Sequence, residues 1–226
     1  IREIMETHEK KKLEKILEEI KVKKGSINKA ELYSKEIFVE PLLDYIIDDF
    51  ERFRILNEDN SVGAMVVCDS GEQAVTMNNI FLNKFKNTNL KKSDIKTFHS
   101  NFLEECKIKT GALILHDEGS KKERENIVEE FKDGEIDILF VNRMLLTGFD
   151  APRLKKLYLA RKIESKSLLQ ALTRVNRTYK NFRYGYVVDF VGIQEEFDKT
   201  NEAYLKELEE ELGDEIENAV FIRSSS

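Results

Sequence analysis

Apolar positions in this chain change period at about residue 60. Upstream they recur every three or four residues; downstream they gather in short unbroken runs. Over residues 3–24, Leu13, Ile16, Leu17 and Ile20 form one stripe among Lys and Glu, which predicts an amphipathic helix ended by Gly25 and Ser26. A second helix is predicted over 41–56, opened by Pro41 at a position that needs no N–H donor. Its apolar set is Leu42, Leu43, Tyr45, Ile46, Ile47, Phe50 and Phe53. Residues 57–61 are a polar loop.

From Gly63 the pattern predicts strands at 64–68, 112–116, 136–141, 157–160 and 186–190, with helices between them. One helix covers 72–85. Another runs to Phe131 and stops at Gly134; Ser120 and Glu123 mark its start as a capping box. A third, after the fourth strand, carries Gln170, Arg174 and Arg177. Residues 87–109 read as polar and irregular. Short, fully apolar strands alternating with helices imply an α/β fold, a parallel sheet covered on both faces. Ligands of such sheets bind beyond the carboxyl ends of the strands. Asp69-Ser70, His116-Asp117 and Thr147-Gly148-Phe149-Asp150 all follow strand ends, so they are expected to line one edge. The expected organisation is a helical segment (1–60), the α/β unit (61–192) and an acidic helical tail (193–226). The tail reads either as a solvated helix or as a docking element.

Charge sharpens the picture. The chain carries a formal net charge of −6, yet between Arg143 and Arg183 eleven residues are basic and two acidic. The acidic total thus conceals a basic stretch suited to a polyanion. No apolar run reaches the length of a membrane span and no signal peptide is recognisable. Two cysteines, Cys68 and Cys106, without metal-ligand spacing, and three histidines point away from a metal site or disulfide framework and toward a reducing cytoplasm. The chain opens at Ile1 within a charged segment, as a piece of a longer polypeptide would.

On one helix Gln170, Arg174 and Arg177 stand at i, i+4 and i+7 and share a face. Planar, forked guanidinium groups beside an amide suit phosphate, although a solvated helix face has the same composition. The loop Leu146-Thr147-Gly148-Phe149-Asp150-Ala151-Pro152 offers a hydroxyl, flexible backbone and a carboxylate, or serves only as a turn. Ser70 either caps the next helix or reaches a nucleic-acid phosphate. His116-Asp117 reads as structural and Glu123-Arg124 as a surface pair. The chain has no Gly-x-x-x-x-Gly-Lys-Ser/Thr loop, no Asp-Glu-x-His motif and no carboxylate–lysine nuclease cluster. Arginines for a phosphate without a cradle for it imply a cradle on another domain, the logic of an arginine finger.

These residues resemble the second RecA-like lobe of superfamily 2 helicases and translocases. More narrowly the chain is similar to the motor (R) subunit of type I restriction enzymes. The likeness spans about 60–192 and is strongest at Leu113 to Ser120, Asp137 to Arg153, Leu168 to Arg177 and Tyr184 to Phe190. The resemblance implies a RecA-like α/β fold in which Arg174 and Arg177 reach the γ-phosphate of ATP. Gly148, Asp150 and Gln170 would bind or couple the nucleotide, and Thr147 and Ser70 would touch DNA. It implies ATP and Mg²⁺ held mainly by a first lobe outside this chain, and no cofactor bound tightly here. The implied partners are double-stranded DNA, methylation and specificity subunits, and the first lobe and nuclease domain of the same polypeptide. The rivals are the second lobe of another superfamily 2 helicase and a non-catalytic nucleic-acid-binding or docking module.

Overall fold

A computed structural model describes residues 33–85, 102–144, 149–163 and 165–192. The expected helix over 3–24 and the acidic helical tail (193–226) lie outside them. The elements in chain order are α1 (Glu36–Leu56), β1 (Gly63–Val67), α2 (Gly71–Lys84), α3 (Phe102–Glu105) and β2 (Gly111–Ile114). They continue with α4 (Lys121–Asp133), β3 (Ile138–Val141), β4 (Leu154–Leu159), α5 (Ser165–Val175) and β5 (Tyr186–Asp189). The strands form one sheet in the order β2-β3-β1-β4-β5, and every pairing is parallel. This is the α/β architecture, a parallel sheet with helices on both faces, expected from the alternation of apolar runs and helices. No helix among the described residues is long and apolar enough to cross a membrane.

Successive residues of β1 serve opposite faces of the sheet. Ala64 and Val66 join a core with α1 and α2, while Met65 and Val67 join a second core with α4 and α5. Both faces being covered, β1, β3 and β4 are buried at every position. β5 departs from the expectation of a buried strand. It is an edge, and Tyr186 and Val187 are each 38% exposed.

α1 begins a turn earlier than Pro41 suggested, because Phe38 and Val39 are buried and hold that turn on the sheet. Pro41 therefore sits inside the helix, forgoing one i→i−4 bond. Leu42, Leu43, Ile46 and Phe50 are at most 1% exposed, and each contributes about 1.5–3 kcal/mol by burial. Tyr45 is largely exposed, its ring edge-on to Phe190. The stretch read as irregular from 87 to 109 ends in structure: α3 is followed by buried Cys106 and Ile108.

α4 starts at the capping box read from Ser120 and Glu123. Ser120 Oγ accepts the Glu123 N–H (3.2 Å), and the Glu123 carboxylate accepts the Ser120 N–H (2.6 Å). The latter bond holds the Glu123 carboxyl below the usual carboxylate range. The Arg124 guanidinium donates to the carbonyls of Glu118 and Gly119, so both members of the expected surface pair engage local backbone. Gly134 closes the helix at φ +90°. Ser120→Ala is expected to destabilise the chain by about 0.5–2 kcal/mol in urea unfolding; an unchanged midpoint would show that the cap contributes nothing.

Polar groups tie the amino-terminal edge of the sheet together. Arg54 and Asp137 are 0% exposed and joined at 2.7 Å. Arg153 donates to the carbonyls of Ser61, Phe131 and Ile136, and burial pushes its guanidinium down to about 10. Gly63 is required there for space: a Cβ would lie 2.5 Å from the Phe131 ring.

Candidate functional site

Described candidate residues fall at two edges of the sheet rather than the single edge expected. At the carboxyl edge β1 ends in Cys68, Asp69 and Ser70. Ser70 Oγ accepts the Gln73 N–H at 3.0 Å, so its first role is to cap α2, leaving the hydroxyl hydrogen for an acceptor. The buried Gln73 amide reinforces this corner, accepting from the Asp69 N–H (2.7 Å) and donating to the Tyr33 carbonyl (2.9 Å). His116 and Asp117 face each other at 2.9 Å, both highly exposed. The same edge holds a contact the sequence reading passed over: Arg161, just beyond β4, donates to Asn142, just beyond β3 (2.7 Å). These two residues flank the exit of β1, because β1 lies between β3 and β4.

The arginines lie at the opposite edge. α5 seats Leu168, Ala171, Leu172 and Val175 against the sheet, a spacing that leaves Gln170 and Arg174 on the outer flank, both half-buried. The helix leads away from the carboxyl end of β4 and returns to its start. There Lys155 Nζ donates to the carbonyls of Val175 (3.3 Å) and Arg177. Phe149 and Asp150 stand just before β4, with the Phe149 ring packed on Phe131 at 5.8 Å. They are therefore on this edge too, away from Ser70 and His116. Thr147 and Gly148 lie outside the described residues.

The shared helix face predicted for Gln170, Arg174 and Arg177 needs correction. α5 ends at Val175, and Arg177 belongs to the segment that follows. Its charge nevertheless reaches Arg174, because neighbouring loop residues receive the two guanidinium groups. Arg174 donates to the Phe149 carbonyl, and Arg177 pairs with the Asp150 carboxylate. Burial, then the adjacent Arg177 charge, lowers the Arg174 pKa, while Asp150 opposes the shift. Beyond Arg177 the chain makes a turn in which Tyr179 and Phe182 exchange backbone hydrogen bonds, and Lys180 Nζ donates to Ser61 Oγ at 2.6 Å.

Two guanidinium groups received by adjacent residues are chemically suited to an anion. The Arg177–Asp150 pair is open to water, its side chains 44% and 59% exposed. Such pairs are worth about 0–1 kcal/mol, so Arg177 can exchange Asp150 for a phosphate at little cost. Among the described residues no group of three His, Cys, Asp or Glu side chains could hold a metal ion. The basic stretch is less superficial than its composition suggests: Arg153, Lys155 and Lys156 are buried. Lys156 pairs with Asp49 at 2.9 Å. The signal for these was in the sequence, since two lysines between Leu154 and Leu157 interrupt an otherwise apolar strand.

Comparison with known proteins adds a family. Residues 35–192 match the model of type I restriction enzyme subunit R domain 3. A protein of Methanocaldococcus jannaschii, assigned as the type I restriction enzyme MjaVIIIP endonuclease subunit, is 30% identical over 220 residues, 91% of this chain and 20% of its own length. The type I restriction enzyme HindI endonuclease subunit of Haemophilus influenzae is 32% identical over 108 residues, 45% of this chain and 10% of its own. The chain thus spans a fifth or less of these relatives. Among solved structures, a fragment assigned as the HsdR subunit of a type I restriction enzyme from Vibrio vulnificus YJ016 is 21% identical. That match covers 72% of this chain and 30% of the other, with a TM-score of 0.46.

Proposed function

Because the chain belongs to the family of type I restriction enzyme subunit R domain 3, we propose that it is the second motor lobe of an ATP-dependent DNA translocase within a type I restriction endonuclease. The observation that carries this reading is the convergence of Arg174 and Arg177 on Phe149-Asp150 at one edge of the sheet. Charge develops on the transferred phosphoryl group in the transition state, and two preorganised guanidinium groups oppose it without reorganising. Arg174 and Arg177 are the fingers in this proposal. Asp150 holds Arg177 between turnovers, and Gln170, one turn before Arg174, faces the nucleotide. A first lobe of the same polypeptide would cradle ATP with its Mg²⁺, and this chain would close upon it. Closure would tie hydrolysis to DNA movement. Ser70 and Thr147 are the proposed backbone contacts, with the nuclease domain and the methylation and specificity subunits completing the assembly.

The test is ATP hydrolysis by this chain and by the complete parent subunit, with and without duplex DNA. We expect no turnover by the chain alone, because its arginines lack a bound phosphate to act on. The parent subunit is expected to hydrolyse ATP in a DNA-stimulated manner, with stimulation falling as salt rises because the grip rests on phosphates. Motor-like hydrolysis by the chain alone, or indifference of the parent to DNA, would sink the proposal.

A further inference from the structure

We infer that Lys155, together with Gly185, is a positioning device for the arginine pair. It grips the end of α5 so that Arg174 and Arg177 are presented to one phosphate; the inference deepens the arginine-finger reading and rests on it. Lys155 lies in β4 and is 0% exposed. A buried ammonium is costly unless its charge is met, and burial lowers its pKa accordingly. Its described partners are two main-chain carbonyls, those of Val175 and Arg177. The Val175 carbonyl, the last of α5, has no intrahelical donor and carries the negative end of the helix dipole, and the Arg177 carbonyl follows two residues later. A lysine aimed at them serves as a C-terminal cap delivered from the sheet. Methionine would fill the same space and leave those carbonyls without this donor.

Gly185 grips the same turn from another element. A Cβ there would collide with Val175 Cγ1 and with the Val175 carbonyl oxygen and carbon. The glycine is needed for close approach, since Gly185 is absent from the glycines with positive φ. The main chain leading into β5 therefore lies directly against that of Val175. β4 and the approach to β5 together hold the point where α5 ends and Arg177 begins. This matters because Arg177 lies past the helical bonds that would otherwise fix its backbone. Lys155 holds the Arg177 carbonyl itself, so the tether acts on the residue that carries the guanidinium.

The test is steady-state ATP hydrolysis by the full-length subunit with duplex DNA, comparing wild type, K155M, R177A, and K155M with R177A. K155M keeps the side-chain volume and removes the donor. We expect it to lower kcat by roughly 10- to 100-fold with KM for ATP nearly unchanged, because a misplaced finger loses transition-state contact rather than ground-state binding. In the R177A background K155M should cost much less than in wild type, since of the pair it positions only Arg174 remains. G185A perturbs the same turn independently and should show the same kcat-selective loss, which carries the test if K155M lowers the yield of folded protein. Wild-type kcat in K155M and G185A alongside a disabled R177A would overturn the positioning role while leaving the finger reading intact. A full additional loss from K155M on R177A would also overturn it. Normal turnover by R177A would instead overturn the finger reading itself.

Discussion

Arg177→Ala in the complete subunit is expected to lower DNA-stimulated ATP hydrolysis by roughly 10³- to 10⁵-fold, the range an arginine finger supplies, while ATP still binds. The reasoning begins with where the guanidinium spends its charge. In this chain Arg177 is held by Asp150 alone among described side chains, in an exposed pair that contributes little to stability. Removing it should therefore leave folding nearly untouched and act on chemistry. Arg174→Ala should cost a similar factor in rate, with an added structural part, because Arg174 is half-buried and donates to the Phe149 carbonyl. Lysine should rescue neither position well: a point ammonium lacks the planar fork that spans two phosphate oxygens. Binding of a fluorescent ATP analogue, measured beside turnover, separates the two effects. Wild-type hydrolysis by both alanine variants would show that the basic segment is a binding surface and no finger.

Asp137→Ala is expected to destabilise the fold by about 3–5 kcal/mol, measured by urea unfolding. Asp137 accepts from Arg54 at 2.7 Å, from the Lys109 and Thr110 N–H groups at 2.9 and 3.1 Å, and from Thr110 Oγ1 at 3.1 Å. It thereby joins α1, the lead-in to β2 and the start of β3. Truncation leaves these donors short of an acceptor and leaves the Arg54 guanidinium, 0% exposed, donating to the neutral Val62 carbonyl. An uncompensated buried charge is the large term. Asp137→Asn, which retains an acceptor oxygen and loses the charge, should cost less. A double replacement of Arg54 and Asp137 by apolar residues of similar size should recover most of the loss. If Asp137→Ala changes the midpoint no more than a surface substitution, the buried pair is not what closes this edge.

Element type was legible from the sequence because it rests on local periodicity. Five apolar runs became five strands, and the Ser120–Glu123 spacing became a capping box with both hydrogen bonds made. Residue types were legible too: Arg174, Arg177 and Asp150 are read directly from the sequence, and the fold brings them to one edge of the sheet. What failed were inferences that needed neighbours. Asp150 was expected beside Ser70 because both follow strand ends in the sequence. In the fold, the chain between β3 and β4 returns to the other edge before Phe149. Arg177 was expected on a helix that stops two residues short of it.

The sequence by itself thus determined the alternation of strands and helices, the α/β class and the residue types available for chemistry. These follow from side-chain periodicity and backbone preference, which act over a few residues. Only the tertiary structure decided the strand order, the exposure of β5 and the burial of Arg54, Lys155 and Lys156. It alone brought Arg174 and Arg177 onto Phe149 and Asp150, about twenty-five residues upstream. The reason is physical: a buried charge is tolerated only where another element supplies its partner. Asp137 stands 83 residues from Arg54, and the carbonyl of Arg177 stands 22 residues from Lys155. No local pattern contains such partners; packing α1 and α5 against the sheet creates them.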